Sequence, residues 1–218
     1  MDKGFTNFIS SLKTALNEPL PGREAQFAMA PYERVLKVIA KKLSVKQTKE
    51  SAVLCLFYPK DGEPHFVLIL RNTYSGTHSA QVGFPGGKVE ATDASLEETA
   101  LRETEEEVGV DKKLIKIIGA LTEVYIPPSG FQVHPFVGYI DTPPVLVPDP
   151  TEVSAVIETP LSILMDDSIV GRKKITVSGA KFKVNWPYFD ILGETVWGAT
   201  AMMLSELKEV IKRADLKW

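Results

Sequence analysis

Phe5, Phe8, Ile9, Leu12 and Leu16 recur at three- and four-residue intervals, the spacing of one apolar face on an α-helix. Leu20-Pro21-Gly22 ends that stripe, and Pro31 precedes a second helical stretch, residues 32–43, apolar at Val35, Leu36, Val38, Ile39 and Leu43. From residue 52 the pattern changes. Short apolar or alternating runs predict strands at 52–58, 66–71, 115–125 and 132–140, with Asp61-Gly62 as a hairpin turn between the first two. The proline-rich segment 141–150 reads as a surface loop. Shorter strands are expected at 155–158, 174–177, 181–184 and 188–191, before a last amphipathic helix over 200–214 carrying Met203, Leu204, Leu207, Val210 and Ile211 on its apolar side. Neither repeats nor low-complexity segments interrupt the order. It predicts an α/β fold with a mixed sheet, a helical extension over 1–49 and the main domain over 50–214.

Composition narrows the class. A chain of 218 residues suits one domain with appendages, and 44% hydrophobic content with a formal charge of −3 describes a soluble globular protein. The balance argues against nucleic acid as a partner, and no run approaches the length of a membrane span. Cys55 is the single cysteine, within the apolar run 52–57, and reads as a core thiol. It has no partner for an intrachain disulfide, which fits a reducing cytoplasm. Lys37, Lys41, Lys42, Lys46 and Lys49 read as one solvated face. The Phe5–Leu16 stripe is expected to pack on the domain or on a second copy, which would make a homodimer, with binding at a membrane surface as the minor alternative.

The chemistry concentrates in GFPGGKVEATDASLEETALRETEEEVGV, residues 83–110. A helix advances about 100° per residue, so Glu103, Glu106 and Glu107 fall within roughly one 100° arc of its surface. Like charges at those spacings destabilise a helix, unless a hard cation that prefers carboxylate oxygen sits among them. Leu96, Ala100, Leu101, Thr104 and Val108 lie to one side and form the sheet-facing stripe.

This segment resembles the Nudix box, G-x5-E-x7-R-E-U-x-E-E-x-G-U, where U is a bulky aliphatic. Arg102, Glu103, Glu106, Glu107 and Gly109 match, Val110 fills the last aliphatic position, and Thr104 replaces the first. From Gly87 to Arg102 the chain is one residue longer than the pattern, so Asp93 or Glu90 must stand in for the first Glu. The resemblance implies an α/β/α sandwich and water attack on a diphosphate with Mg²⁺ or Mn²⁺. It also implies metal ligation by Glu103, Glu106, Glu107 and the Gly87 carbonyl. Glu103 and Glu106 are the catalytic candidates, with Arg102 pinning a loop carboxylate and so orienting Glu103. Glu103, Glu152 and Glu194 all remain open as the general base.

Upstream, Arg71 and Phe84-Pro85-Gly86-Gly87 keep the spacing of an extension found in the coenzyme A pyrophosphatases of the family, L-L-T-x-R-[SA]-x3-R-x3-G-x3-F-P-G-G. Asn72, Gly76 and Ala80 depart from it; Gly76 replaces an arginine. Residues 127–139 and 191–207 are similar to the same subfamily. The substrate implied is a coenzyme A-like nucleoside diphosphate, with Arg71, His78, Phe84 and Gly86 as substrate-binding candidates. ADP-ribose or a dinucleotide is the alternative substrate, and a non-catalytic Nudix-fold sensor is the alternative class.

Overall fold

The computed structural model describes residues 3–31, 48–72, 81–176 and 183–215. Its sandwich is organised by β1 (Lys49–Lys60) and β2 (Glu63–Arg71), joined at Asp61-Gly62. These two strands pair only near their turn, from Phe57↔Phe66 to Lys60↔Glu63. Where they part, the glycine segment enters as a wedge. Within it β3 (Val82–Gly83) pairs with β2, and β4 (Gly86–Lys88) pairs with β1. The Leu54 N–H donates to the Pro85 carbonyl at 2.9 Å and closes the gap. On its other edge β1 runs parallel to β7 (Phe131–Tyr139), while β8 (Val153–Pro160) pairs antiparallel with β2. The sheet is therefore mixed.

Strand alternation sends successive side chains to opposite faces. Ala52, Leu54, Leu56, Val67 and Ile69 pack under α3 (Leu96–Val108) on one face. Cys55, Phe57, Phe66 and Leu68 lie on the other, against α1 (Lys3–Asn17) and the C-terminal helix Gly198–Arg213. The five apolar residues of the α1 stripe are all buried, and Phe8 meets Phe57 edge-on at 5.4 Å. Fully burying one such side chain contributes roughly 1.5–3 kcal/mol. The stripe packs on the domain itself. Three layers result, helix on sheet on helix, as expected.

Several elements differ from the pattern-based expectation. The run 115–125 divides into β5 (Lys116–Ala120) and β6 (Val124–Ile126), both paired with β7. A register shift follows Ile117, and the Thr122 N–H is diverted to the Glu206 carboxylate. Two short helices, α2 (Gly22–Ala28) and α4 (Leu161–Met165), lack a periodic stripe long enough to announce them. The two short strands expected around 181–191 form a single strand, β10 (Lys183–Ile191), carrying Pro187 within it. It lies between β9 (Val170–Thr176) and β11 (Glu194–Trp197) in a separate three-stranded sheet. The C-terminal helix, α5, starts at Gly198 and is two residues longer at its start than the apolar pattern suggests. The helix expected over 32–43 and most of the basic residues assigned to its face lie outside the described residues. Among those described, no helix is long and apolar enough to cross a membrane.

Candidate active site

Helix α3 is set by local signals at both ends. The Ser95 hydroxyl accepts the Glu98 N–H at 3.1 Å, satisfying a first-turn donor. Gly109 closes the helix in the left-handed region at φ 74°, its N–H donating to Glu105. Ala100, Thr104 and Val108 face the sheet, and the Thr104 hydroxyl returns to the Ala100 carbonyl at 2.7 Å.

The opposite side is organised by Arg102. Its Nε and Nη2 grip Asp93 at 2.9 and 3.0 Å in a two-pronged ion pair. Nη1 donates to Glu103 at 3.0 Å and to Glu106 at 2.8 Å, and Nη2 also reaches the Lys88 carbonyl. Asp93 further accepts from Thr99 Oγ1 and the Glu90 N–H. Asp93, not Glu90, therefore occupies the role of the missing first glutamate. The extra residue in the loop is absorbed before Ser95, leaving a shorter carboxylate to reach the same guanidinium.

Hydrogen bonds from Arg102 hold the Asp93 carboxyl well below the usual carboxylate range, with those from Glu90 and Thr99 adding to the effect against the opposing burial. A depressed folded-state pKa contributes stability that is complete above the unfolded value, about 3.9, and is lost as pH falls through the folded value. Urea unfolding of the parent should therefore steepen in its loss of stability below about pH 4. Asp93→Asn should start less stable at neutral pH and show a flatter acid limb. Identical acid limbs would count against this pair as a source of stability.

The glycine turn fits under these carboxylates because it has no side chains. Gly86 adopts φ 149°, and a Cβ there would stand 2.4 Å from the Ala52 carbonyl. A Cβ at Gly87 would meet the Glu103 carboxylate at 2.4 Å. Both backbone polar groups of Gly86 are engaged: its N–H donates to Glu107 Oε2 at 2.8 Å, and its carbonyl accepts from Arg71 Nη2 at 2.5 Å. Arg71 Nη1 stands 3.1 Å from Glu107 Oε1 in ionic contact, but without an aligned hydrogen bond. Glu107 is only 2% exposed, and burial above all pushes its carboxyl up to about 7. Burial likewise raises Glu103, against the opposing pull of Arg102.

The geometry overturns one of the substrate-binding expectations and gives two others partners within the fold. Phe84 is buried in the core against Phe66, with ring centroids 6.5 Å apart, and presents no surface to a ligand. Gly86 spends its polar groups inside the fold. Arg71 ties the glycine turn to Glu107, so its guanidinium is a brace of the site. His78 lies outside the described residues. Glu194 stands on β11, and the charge of exposed Glu152 is the least of the influences that raise Glu107. The Glu152 backbone carbonyl accepts the Asn72 N–H at 2.8 Å, next in sequence to Arg71.

Arg71→Ala should consequently lower stability as well as activity. Removing one partner of a buried ion pair costs about 3–5 kcal/mol. The lower end applies here because Glu107 can take up a proton when its cation is gone. A melting curve checks this: an unchanged melting temperature with lost turnover would return Arg71 to direct contact with substrate.

Among the described residues no three histidine, cysteine or acidic side chains converge on one point as a ready metal site. Glu103 and Glu106 instead share Arg102, and Glu107 turns toward Arg71. The donor chemistry nevertheless fits a hard divalent ion. Four carboxylates, Asp93, Glu103, Glu106 and Glu107, face two guanidiniums. Glu107 Oε1 is also buried without a hydrogen-bond donor. An all-oxygen set with surplus negative charge is what Mg²⁺ and Mn²⁺ select.

The NUDIX domain model matches residues 48–174, more than half of the chain. Nudix hydrolase 15, mitochondrial, of Arabidopsis thaliana is 32% identical over 165 residues, covering 73% of this chain and 57% of that protein. The Nudix hydrolase NudL of an Enterobacter species is 37% identical over 167 residues, covering 75% of this chain and 83% of the relative. The chain thus spans little more than half the length of the plant relatives it matches. Among solved structures, the Mycobacterium smegmatis Nudix hydrolase RenU superposes with a TM-score of 0.54 at 15% identity, over 78% of this chain and 89% of that one. A MutT/nudix family protein from Enterococcus faecalis gives 0.50 at 18% identity, over 88% and 73% respectively. These last two likenesses concern the fold alone. With the domain model, the relatives and the box geometry in agreement, this chain belongs to the Nudix family.

Proposed function

We propose that the protein hydrolyses the diphosphate of coenzyme A or its thioesters, giving phosphopantetheine (acylated when the substrate is a thioester) and adenosine 3′,5′-bisphosphate. The observation that carries hydrolysis is the placing of Glu103 and Glu107 against the Gly86–Gly87 turn, with Glu106 held by the same Arg102 that holds Glu103. Mg²⁺ or Mn²⁺, held by those three glutamates and the Gly87 carbonyl, would neutralise phosphoryl charge and acidify an attacking water. The chain's own residues do the positioning. Arg102 fixes Glu103 and Glu106, and Arg71 fixes Glu107 and the turn. Glu103 or Glu152 takes the proton from water as oxygen adds to phosphorus and the bridging P–O bond breaks; the leaving phosphate carries the electron pair. Glu152 suits the role because its carboxylate is exposed, its charge is felt at Glu107, and Arg102 does not hold it.

Coenzyme A is favoured by the spacing kept from Arg71 to Phe84-Pro85-Gly86-Gly87. Gly76 in place of an arginine favours a second reading, another nucleoside diphosphate such as ADP-ribose. A substrate panel with Mg²⁺ and with Mn²⁺ separates them. Turnover of coenzyme A above ADP-ribose is expected; turnover of ADP-ribose alone would transfer the assignment, and no turnover of any diphosphate would leave a binding module.

A further inference from the structure

Asn72 stands where the extension of the coenzyme A pyrophosphatases carries serine or alanine, and the fold gives this departure a use. β2 and β8 pair in step from His65↔Pro160 to Leu70↔Ala155, and then Arg71 faces Val153. Ser154 is thus the extra residue of a bulge, which breaks the ladder and re-aims the side chains around it. Beyond the bulge Asn72 takes over the pairing. Its N–H donates to the Glu152 carbonyl at 2.8 Å and its Nδ2 to the Pro150 carbonyl at 2.9 Å. The Ser154 hydroxyl donates to Asn72 Oδ1 at 2.5 Å. With Oδ1 taken by a hydroxyl, Nδ2 has to face the Pro150 carbonyl, so both ends of the amide are used. Serine and alanine cannot span the two partners, and an aspartate would set a second acceptor against that carbonyl.

The segment held in this way, residues 149–152, is a turn with its own lock. Asp149 Oδ1 accepts both the N–H and the hydroxyl of Thr151 at 2.8 Å, the local bonding by which an aspartate fixes a turn. The Asp149 carbonyl accepts the N–H groups of Glu152 and Val153. At its start the turn is tied to the box helix, where the Asp149 N–H donates to the Glu107 carbonyl at 3.1 Å. Glu152 is therefore carried by a short turn pinned on one side to α3 and on the other to the residue after Arg71. Only its backbone enters these bonds, and its side chain is exposed. Glu103, the other candidate base, is held by Arg102 at 3.0 Å and is only 14% exposed.

We propose that Asn72 is a positioning residue that fixes the Glu152 turn against the box helix, so that Glu152 rather than Glu103 takes the proton from the attacking water. The proton passes to a Glu152 oxygen as the water oxygen adds to phosphorus, and the bridging P–O electron pair leaves with the departing phosphate. The proposal rests on the hydrolase reading above, whichever diphosphate is the substrate. Asn72→Ala leaves the backbone bond to Glu152 in place, so the turn stays attached but swings about that bond.

The test is a double-substitution cycle over the parent, Asn72→Ala, Glu152→Gln and the two combined. kcat and KM are measured on coenzyme A, or on ADP-ribose if only that is turned over. Glu152→Gln should lower kcat about a hundredfold or more, the contribution of a positioned base. Asn72→Ala should lower kcat about tenfold through misplacement of that base, with KM within about twofold of the parent. The combined variant should fall no further than Glu152→Gln alone, because a base that is absent cannot be misplaced. A merely structural Asn72 would take its factor from both backgrounds. Multiplied losses, or an unchanged kcat in either single variant, would overturn the proposal. Should Asn72→Ala melt early, Ser154→Ala replaces it in the same cycle, since it removes only the exposed hydroxyl that orients the amide. If the parent hydrolyses no diphosphate, the hydrolase reading fails separately, and the turn is judged by hydrogen exchange. Amides of Glu152 and Val153 exchanging at least about tenfold faster in Asn72→Ala, with α3 unchanged, uphold Asn72 as the residue that fixes the turn. Equal exchange overturns it.

Discussion

Glu106→Gln should lower kcat by about a hundredfold or more while leaving the melting temperature within about 4 °C of the parent. Glu106 is more exposed than Glu103 or Glu107, at 57%, and pairs with Arg102 at 2.8 Å. An exposed pair of this kind contributes roughly 0.2–1 kcal/mol, and glutamine keeps an oxygen to accept the same hydrogen bond. The folded state therefore loses little. On the proposed function, catalysis would lose a charged oxygen ligand where a divalent ion would supply several kcal/mol of transition-state stabilisation, and about 2.7 kcal/mol already corresponds to a hundredfold. Raising the metal concentration should recover part of the loss. Glu103→Gln should behave similarly, with a larger stability change because Glu103 is only 14% exposed and packs against Gly87.

Glu107→Gln is a different experiment. Relief of like-charge repulsion would suggest a neutral or stabilising change, but the structure opposes that. An amide in place of Glu107 would turn its NH₂ toward either Arg71 or the Gly86 N–H, both donors. Activity and melting temperature should fall together. Full activity of the Glu103 and Glu106 variants at limiting metal would sink the proposed metal site.

The contrast marks where sequence reasoning reached and where it stopped. The box helix was legible because its signals are local: carboxylates spaced by the helical period beside the apolar stripe Leu96, Ala100, Leu101, Thr104 and Val108. The α/β class with a mixed sheet followed from the order of helical and strand-like runs, and the three layers from the resemblance to the Nudix box. Exposure was not legible. Nothing in Phe84-Pro85-Gly86-Gly87 as a string says that Phe84 faces the core or that both polar groups of Gly86 bond inward. Those outcomes depend on the splaying of β1 from β2, a tertiary event. Arg71 posed the same difficulty, since phosphate and buried carboxylate attract a guanidinium equally and only geometry distinguishes them. Asp93 could be narrowed to two candidates by counting, and the fold chose between them.

Glu206 illustrates the largest omission, and its removal should produce the largest stability effect outside the site. It sits on α5 in a segment that reads simply as amphipathic helix, yet it is fully buried. Its carboxylate accepts from Gly22 N at 3.1 Å, Gln26 Nε2 at 2.8 Å and Thr122 Oγ1 at 2.6 Å, with Thr122 N at 3.2–3.3 Å. One side chain thereby joins α2, the segment between β5 and β6, and α5, each distant in sequence. Glu206→Ala would strand several buried donors at once, each worth roughly 1–3 kcal/mol when left unsatisfied. A total near 3–5 kcal/mol is expected, the range for breaking a buried charged network. For a chain of this size that corresponds to a fall of about 6–20 °C in melting temperature. Glutamine should rescue little, because its amide NH₂ would face donors. This network lies on the face of the sheet opposite α3. Turnover per folded molecule, measured well below the melting transition, should accordingly match the parent. Hydrogen exchange should show α2 opening first. A melting temperature within about 2 °C of the parent would mean that α2 is held by its apolar contacts and that this carboxylate contributes little.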